Sequence, residues 1–186
     1  PKFSLSFFRT QIAEGSMLPS GKMPYEVFIP AYRDEILSDT VMVYGNVDEV
    51  ELVLNGKTIR RQTADKGPDS DYIPVPNGGN GKNLHFPPFT FYGVSKERGV
   101  LKAVGYHQGK KVAEYTVKTP GVPERLDITY FESGKPATKN DLLIVYVRML
   151  DKQGVLCPVN GIPVELSVQG GELVGPTSYP LELSLI

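Results

Sequence analysis

Apolar and polar residues alternate over short stretches along most of this chain, a pattern typical of β-strands with one buried face. The clearest example is residues 44–61, YGNVDEVELVLNGKTIRR, in which every second residue from 50 to 54 is apolar. The dipeptide Asn55-Gly56 follows directly and favours a two-residue type I′ turn, since both residues of that turn need positive φ. This stretch therefore predicts a β-hairpin.

Other apolar runs predict further strands, and glycines and prolines separate them. The predicted strands cover residues 3–8, 25–29, 40–44, 99–106, 110–118, 126–130, 142–150 and 164–168, with one more beginning at residue 89. The run at 142–150, LLIVYVRML, is the most apolar and is expected to be buried on at least one face. Residues 9–23 are turn-rich and are interpreted as a loop. No stretch of helical length has a 3.6-residue period, so the predicted fold class is all-β, with two tandem immunoglobulin-like β-sandwich domains.

The best predicted domain boundary is TPGVP at residues 119–123, where two prolines and a glycine stiffen a short connection. We predict a first β-sandwich domain over 1–119, a linker at 120–122 and an immunoglobulin-like domain over 123–186. Residues 1–23 are expected to lead in from an upstream domain. The second domain is shorter than the roughly 100 residues typical of its class, which leaves a C-terminal truncation open.

Composition excludes several classes of function. A formal net charge of −1 gives no electrostatic footprint for nucleic acid or an anionic membrane, and we predict neither as a partner. The single cysteine, Cys157, excludes an intrachain disulfide and a cysteine-rich zinc site. It is interpreted as an incidental small residue before Pro158, since a reactive thiol needs an activating base.

The longest predicted loop, residues 63–83, contains the glycine-rich run at 77–81. Phosphate binding by such a run needs a following helix and a Lys-Ser/Thr pair, and both are missing here, so a surface loop is favoured. Oxygen ligands at Asp69, Asp71 and Asn77 could hold calcium, but their spacing matches no EF-hand loop. We predict no metal and no cofactor.

The densest acidic cluster is Asp48, Glu49 and Glu51. A glycosidase needs two carboxylates about 5 to 9.5 Å apart. Strand phase places Glu49 and Glu51 opposite the apolar set, on a solvated face, and this favours a structural role. His85 and His107 stand alone, and there is no Gly-x-Ser-x-Gly elbow. We therefore predict no catalytic residue.

Carbohydrate binding is the alternative chemistry that the composition allows. Sugar-binding surfaces present planar aromatic rings beside polar groups, and the chain has ten tyrosines but no tryptophan. Three tyrosines lie in or beside predicted loops and are the candidate contacts: Tyr32, Tyr72 and Tyr92. Half-buried packing is the competing interpretation for each of them.

Residues 43–59, VYGNVDEVELVLNGKTI, resemble the (S)N-x-(D/E)-E-V-E-L-x-L-N-G-K strand and hairpin of glycoside hydrolase family 2 enzymes. The hairpin belongs to the C-terminal region, mainly of β-galactosidase-like bacterial members. FRTQ at 8–11 resembles the aromatic-Arg-Ser-Gln segment that leaves the catalytic barrel of that family. Further resemblances follow in the family's order at residues 84–91, 99–106, 112–121, 123–126, 145–154 and 164–175. In two departures, Gly45 stands where serine is common, and residues 176–186 lack the usual continuation.

The resemblance implies a fold and a function by analogy. The family hydrolyses β-glycosidic bonds with retention, using two glutamates on a (β/α)8 barrel, one of which follows an asparagine. This sequence has no Asn-Glu dipeptide and no α/β alternation, so no catalytic residue carries over.

We therefore predict a non-catalytic C-terminal fragment of a β-galactosidase-like glycosidase, whose partner is the catalytic barrel of the same chain. A β-linked saccharide is a further candidate partner. The alternatives are a carbohydrate-binding module and a cell-surface adhesion module. Parents of this kind usually act in the periplasm or outside the cell, and this location is implied by the resemblance alone.

Overall fold

The computed structural model of the chain describes residues 3–31, 39–65, 84–130, 142–159, 161–175 and 177–181. Over these residues the fold is nearly all-β, as predicted, with several antiparallel sheets. The number of immunoglobulin-like domains stays a prediction. The chain forms two compact units that divide between Thr119 and Pro120.

The first unit contains a short helix and a series of strands. Their bounds are α1 Phe3–Arg9, β1 Met17–Leu18, β2 Gly21–Lys22, β3 Val27–Phe28, β4 Val41–Gly45, β5 Glu49–Leu54, β6 Lys57–Thr63, β7 Phe89–Phe91, β8 Val100–His107 and β9 Lys110–Lys118. One antiparallel sheet has the order β6-β5-β8-β9, a second has the order β3-β4-β7, and β1 pairs with β2.

Apolar side chains from both larger sheets meet in one core. Its buried members are Val27, Ile29, Val41, Val43, Val47, Val50, Leu52, Leu54, Phe89, Phe91, Val94, Leu101, Ala103 and Val117. At the sheet edges, β3 lies close to β8 and β9, and β7 lies close to β6. Two sheets that share one core form a β-sandwich.

The predicted hairpin is confirmed by strands β5 and β6. Val50 and Leu52 are completely buried, whereas Glu49 and Glu51 on the other face are only partly covered. The turn residues Asn55-Gly56 have φ values of 50° and 80°, as a type I′ turn requires. Local sequence thus determines both the register and the turn of this element.

Two glycines permit a close approach between the sheets at Val27. A Cβ atom added to Gly45 would lie 2.9 Å from Val27 Cγ1 and 2.9 Å from the Glu26 carbonyl oxygen. A Cβ atom on Gly105 would lie 2.7 Å from the same Val27 methyl group. Both distances are shorter than normal van der Waals contact, so β4 and β8 need glycine at these positions.

The predicted strand over residues 3–8 is wrong, because Phe3–Arg9 forms helix α1. The alternation in FSLSFF also places Phe3 and Phe7 four residues apart, on one face of a helix. The Phe3 ring packs on Phe28 and the Phe7 ring packs on Tyr44. These tertiary contacts decide the conformation of a segment too short to form a stable helix alone.

Three other predictions of element bounds needed correction. Residues 9–23 contain the β1–β2 hairpin and are not a plain loop. The strand predicted over 25–29 is limited to Val27–Phe28, and the one predicted over 164–168 is replaced by Ile162–Glu165. Sheet pairing, which apolar alternation does not report, sets these bounds.

The second unit contains β10 Pro123–Tyr130, β11 Val145–Asp151, β12 Ile162–Glu165 and β13 Ser178–Leu181. Strands β10 and β11 pair with each other, as do β12 and β13. The burial predicted for residues 142–150 is wrong over most of that run, since Leu142 to Tyr146 are each at least half exposed. Among the described strands, β11 pairs with β10, and Leu150 at its end also forms an isolated bridge with Leu156. The β10–β11 ribbon leaves one apolar face exposed.

Asp151 organises the turn that follows β11. Its carboxylate is buried and accepts hydrogen bonds from the backbone N–H groups of Gly121, Gln153 and Val155 at 2.6, 2.9 and 2.8 Å. These bonds, led by the one from Gly121, hold the pKa of Asp151 below its usual value. The buried Sγ of Cys157 lies beside the same segment, 3.9 Å from the Gly121 carbonyl oxygen.

Candidate functional site

The side chain of Asn46 joins three segments of the first unit. Its Oδ1 accepts a hydrogen bond from the Glu26 N–H at 2.6 Å. Its Nδ2 donates to the carbonyl oxygens of Ile12 at 2.9 Å and Pro24 at 3.0 Å. Asn46 is buried, so these bonds satisfy polar atoms that have little access to water. The asparagine of the family-like motif is therefore a structural anchor.

The residues that follow α1 are fixed to the same region. Thr10 is completely buried and donates from its hydroxyl to the Phe7 carbonyl oxygen. The Gln11 side chain forms two hydrogen bonds with the backbone of Phe86, each 3.1 Å long. Arg9 forms an ion pair with Glu26. The FRTQ segment is thus attached to the sandwich by its own side chains.

A groove of about 340 Å³ lies beside this attachment, between α1, β3 and β9. Its lining residues are Ser6, Arg9, Tyr25, Glu26, Val27, Phe28, Ala113, Glu114 and Tyr115. Phe28 packs edge-on against Tyr115, with ring centroids 5.4 Å apart. The groove therefore has an aromatic wall and a wall that carries the Arg9–Glu26 ion pair.

The acidic side chains of the hairpin form a hydrogen-bonded network on the outer face of the sheet. Thr58 and Tyr106 donate hydroxyl hydrogen bonds to Glu51 at 2.6 and 2.7 Å. Arg61 pairs with Glu49 and lies 3.7 Å from the centre of the Tyr106 ring. The Thr58 and Tyr106 hydrogen bonds, followed by the Arg61 charge, lower the pKa of Glu51. A lowered pKa does not suit a general acid, and the structural role of this cluster stays a prediction.

Asp48 connects the turn before β5 to the β8–β9 hairpin. It accepts a hydrogen bond from the Gln108 N–H at 2.8 Å and contacts His107 Nδ1 at 3.1 Å. The Gln108 bond is the main reason that its pKa is lowered. Tyr25 stacks on the other side of this pair, with its ring centroid 4.9 Å from that of His107. Partial burial is the main reason that the pKa of Tyr25 is raised.

Of the three predicted carbohydrate contacts, Tyr92 lies in the part of the chain that the structure describes, and the role of all three stays a prediction. Tyr92 is about half exposed, and its carbonyl oxygen accepts a hydrogen bond from Arg60. Tyr32 and Tyr72 lie outside the described residues, as do the oxygen ligands weighed at Asp69, Asp71 and Asn77 and the glycine-rich run at 77–81. Within the described ranges, no group of three or more His, Cys, Asp or Glu side chains could hold a metal ion.

Sequence reasoning missed the residues that matter most for this region. Asn46 and Gln11 contact partners 20 to 75 residues away, and nothing in their own neighbourhoods predicts those contacts. Gly45 and Gly105 had a weak signal, since a glycine inside an apolar strand suggests a close backbone approach.

None of the helices in the described ranges has the length and apolar character to cross a membrane.

Comparisons with known proteins give a consistent result. Residues 38–113 match the family model described as "Domain of unknown function (DUF4982)". A β-galactosidase of Thermoanaerobacter pseudethanolicus is 29% identical over 98% of this chain, which spans 24% of that protein. A β-galactosidase of Bacteroides ovatus is 32% identical over 70% of the chain and 13% of its own length. The chain thus spans about a quarter or less of these relatives.

Solved structures show the same fold. A β-glucuronidase from glycoside hydrolase family 2 superposes with a TM-score of 0.70 at 20% identity, covering 91% of this chain and 15% of that one.

Proposed function

This chain is related to the C-terminal region of glycoside hydrolase family 2 enzymes, and we propose that it supports the catalytic barrel of the same polypeptide without taking part in the chemistry. The curated relatives are enzymes of which this chain spans a small part. We also propose that the whole protein has a β-galactosidase-like activity.

The attachment of the FRTQ segment is the observation that carries the proposal. Arg9, Thr10 and Gln11 are held to the sandwich by an ion pair, by burial and by paired hydrogen bonds to Phe86. A domain that precedes α1 would therefore be joined through a rigid connection and not through a free linker. Rigid attachment restricts the orientations that the two parts can adopt, and it couples the unfolding of one part to the other.

Two carboxylates near the β5–β6 hairpin, Asp48 and Glu51, support a non-catalytic role. Asp48 and Glu51 have lowered pKa values because backbone and hydroxyl groups hydrogen-bond them in the charged form. Glycoside hydrolysis needs one carboxylic acid with a raised pKa beside a second carboxylate. These two side chains instead cap a hairpin and bridge strands.

The first test uses the 186-residue chain and the longer polypeptide side by side. The chain by itself is expected to leave a chromogenic β-galactoside intact, whereas the longer polypeptide hydrolyses it. Turnover by the chain alone would refute the proposal.

The second test removes the attachment of Gln11. Gln11→Ala in the longer polypeptide deletes two hydrogen bonds, worth about 1–2 kcal/mol, and is expected to lower the temperature of half-inactivation. Because no contact with substrate is lost, KM should not change. Gln153→Ala, at an exposed side chain in the second unit, is the matched control. Equal heat inactivation of both variants and the parent would contradict a supporting role.

A further inference from the structure

The groove between α1, β3 and β9 has a volume in the range of small-molecule sites, and it combines aromatic and charged side chains. Its volume of about 340 Å³ falls within the roughly 300–1,000 Å³ that such sites occupy. Every residue that lines it belongs to the first unit.

The charged side chains that line the groove are all paired, Arg9 with Glu26, and Glu114 with Lys111 and Lys102. Arg9 donates from both Nε and Nη2 to the Glu26 carboxylate, and the pair remains about one-quarter to one-third exposed. The positive charge of Arg9 is already neutralised, which disfavours a phosphate or carboxylate ligand. A guanidinium has five N–H donors, so Nη1 keeps its donors for a ligand beside the acceptor oxygens of Glu26. Ser6 adds a hydroxyl group to the lining of the groove.

The aromatic wall is held in place by its own contacts. Phe28 is buried and packs on both Phe3 and Tyr115. Tyr25 stacks on His107 at an interplanar angle of 27°. Since these rings are already packed, the groove needs little rearrangement to receive a ligand, which lowers the entropic cost of binding.

We propose that this groove binds a hexopyranose unit of a neutral saccharide. Vicinal hydroxyl groups each donate and accept hydrogen bonds, and they match a guanidinium and a carboxylate fixed side by side. The C–H face of a pyranose ring is apolar and matches the aromatic wall of the groove. This site differs from the predicted platform of Tyr32, Tyr72 and Tyr92, and it goes beyond the supporting role, which needs no ligand.

The test is a titration of the isotope-labelled 186-residue chain with lactose, followed by amide NMR. Saturable shifts are expected at Tyr25–Phe28 and at 113–115, with a Kd of about 1–10 mM. Arg9→Lys keeps the charge but loses the planar fork, and Glu26→Gln keeps the shape but loses the charge. Each variant is expected to weaken binding at least about fivefold. Tyr92→Ala, outside the groove, is the control and should bind as the parent does.

Two results would overturn the proposal. One is the absence of saturable shifts up to about 100 mM lactose. The other is binding that is lost in Tyr92→Ala but kept in Arg9→Lys and Glu26→Gln. Dispersed amide spectra confirm that each variant is folded, so that a lost signal reports binding. Neither result bears on the supporting role, which is measured separately by heat inactivation of the longer polypeptide.

Discussion

At the scale of single residues, a few buried polar groups and glycines determine how the first unit closes. Asn46 forms three side-chain hydrogen bonds with segments that are distant in sequence. Gly45 and Gly105 leave room for Val27 between two strands. Gly45, Asn46 and Gly105 lie within the motif segments at 43–59 and 99–106. These motif residues therefore have a structural role, the closing of the first unit.

Replacing Asn46 should be costly. Asn46→Ala leaves the Glu26 N–H and two carbonyl groups without their partner in a buried site, and is expected to lower the free energy of unfolding by about 2–4 kcal/mol. Urea unfolding followed by circular dichroism measures this loss. Lys57→Ala, at an exposed position of β6, is the control. A loss below about 1 kcal/mol would contradict the anchoring role.

The two glycines allow a sharper test with a double-mutant cycle. Gly105→Ala is expected to destabilise the chain by about 1–3 kcal/mol, since its new methyl group would press on Val27 Cγ1. Adding Val27→Ala should recover part of that loss, and the coupling is read from unfolding free energies.

Gly45→Ala is the comparison for this cycle. Its methyl group would also press on the Glu26 carbonyl oxygen, which truncation of Val27 does not move. Val27→Ala should therefore rescue Gly45→Ala less than Gly105→Ala. Equal rescue of both variants would contradict this account.

At the scale of elements, the turn of the β5–β6 hairpin also binds the hairpin to β8 through the side chain of Asn55. Asn55 Nδ2 donates to the Arg98 carbonyl oxygen at 3.1 Å, and Oδ1 accepts from the Val100 N–H at 2.8 Å. The turn is thus fastened to the start of β8. A Cβ atom on Gly99 would lie 1.8 Å from Asn55 Oδ1, so only glycine fits beside this contact.

Substitutions of Asn55 separate the two functions. Asn55→Gly keeps the positive φ but loses both side-chain bonds, and is expected to cost about 1–2 kcal/mol in unfolding free energy. Asn55→Asp keeps the acceptor for the Val100 N–H but turns a carboxylate oxygen toward the Arg98 carbonyl oxygen, so it should also be destabilising. Thermal unfolding of the two variants provides the measurement. Wild-type stability in Asn55→Gly would show that the side-chain bonds contribute nothing.

Local sequence predicts elements where neighbours along the chain decide the conformation. The β5–β6 and β8–β9 hairpins follow from alternation and from turn residues with positive φ, as at Gly109. Helix α1 was missed because its conformation depends on Phe28 and Tyr44, which the alternation of FSLSFF does not report. The exposure of β11 was missed because an apolar strand predicts a buried face whether or not another layer covers it.

At the scale of the whole molecule, lowered carboxylate pKa values predict acid sensitivity. Asp48, Glu51 and Asp151 have folded-state pKa values below the ordinary range because hydrogen bonds stabilise the charged forms. A group with a lowered folded pKa stabilises the fold fully above its unfolded pKa of about 4, and this contribution is lost as pH falls through the folded pKa. The chain is therefore expected to lose stability below about pH 4.

Asp151 gives a local measure of this effect. The Gly121 and Val155 amide resonances should titrate in NMR spectra with a midpoint below about 3.9, the ordinary value for aspartate. Asp151→Asn should abolish that titration and flatten the acid dependence of stability in the second unit. A midpoint at or above the ordinary value would contradict the role of the buried carboxylate.

The candidate site was predictable only in its coarse character. Strand phase predicted that Glu49 and Glu51 lie opposite the apolar set of β5, and the burial pattern of this strand agrees. The groove was not predictable, since α1, β3 and β9 are brought together by contacts between residues such as Phe28 and Tyr115 that are far apart in sequence.

The contacts of Val27 and Asn46 also limit how this region can be exchanged in evolution. The matched family segment, residues 38–113, begins after β3 and ends inside β9. It contains Gly45, Asn46 and Gly105 but neither Val27 nor Glu26, which those residues contact. A recombination event at its borders would exchange one residue of each contact and leave its partner unchanged. Chimeras between relatives should therefore keep residues 9–29 with the segment, because the unit of inheritance that preserves the fold is larger than the unit of sequence similarity.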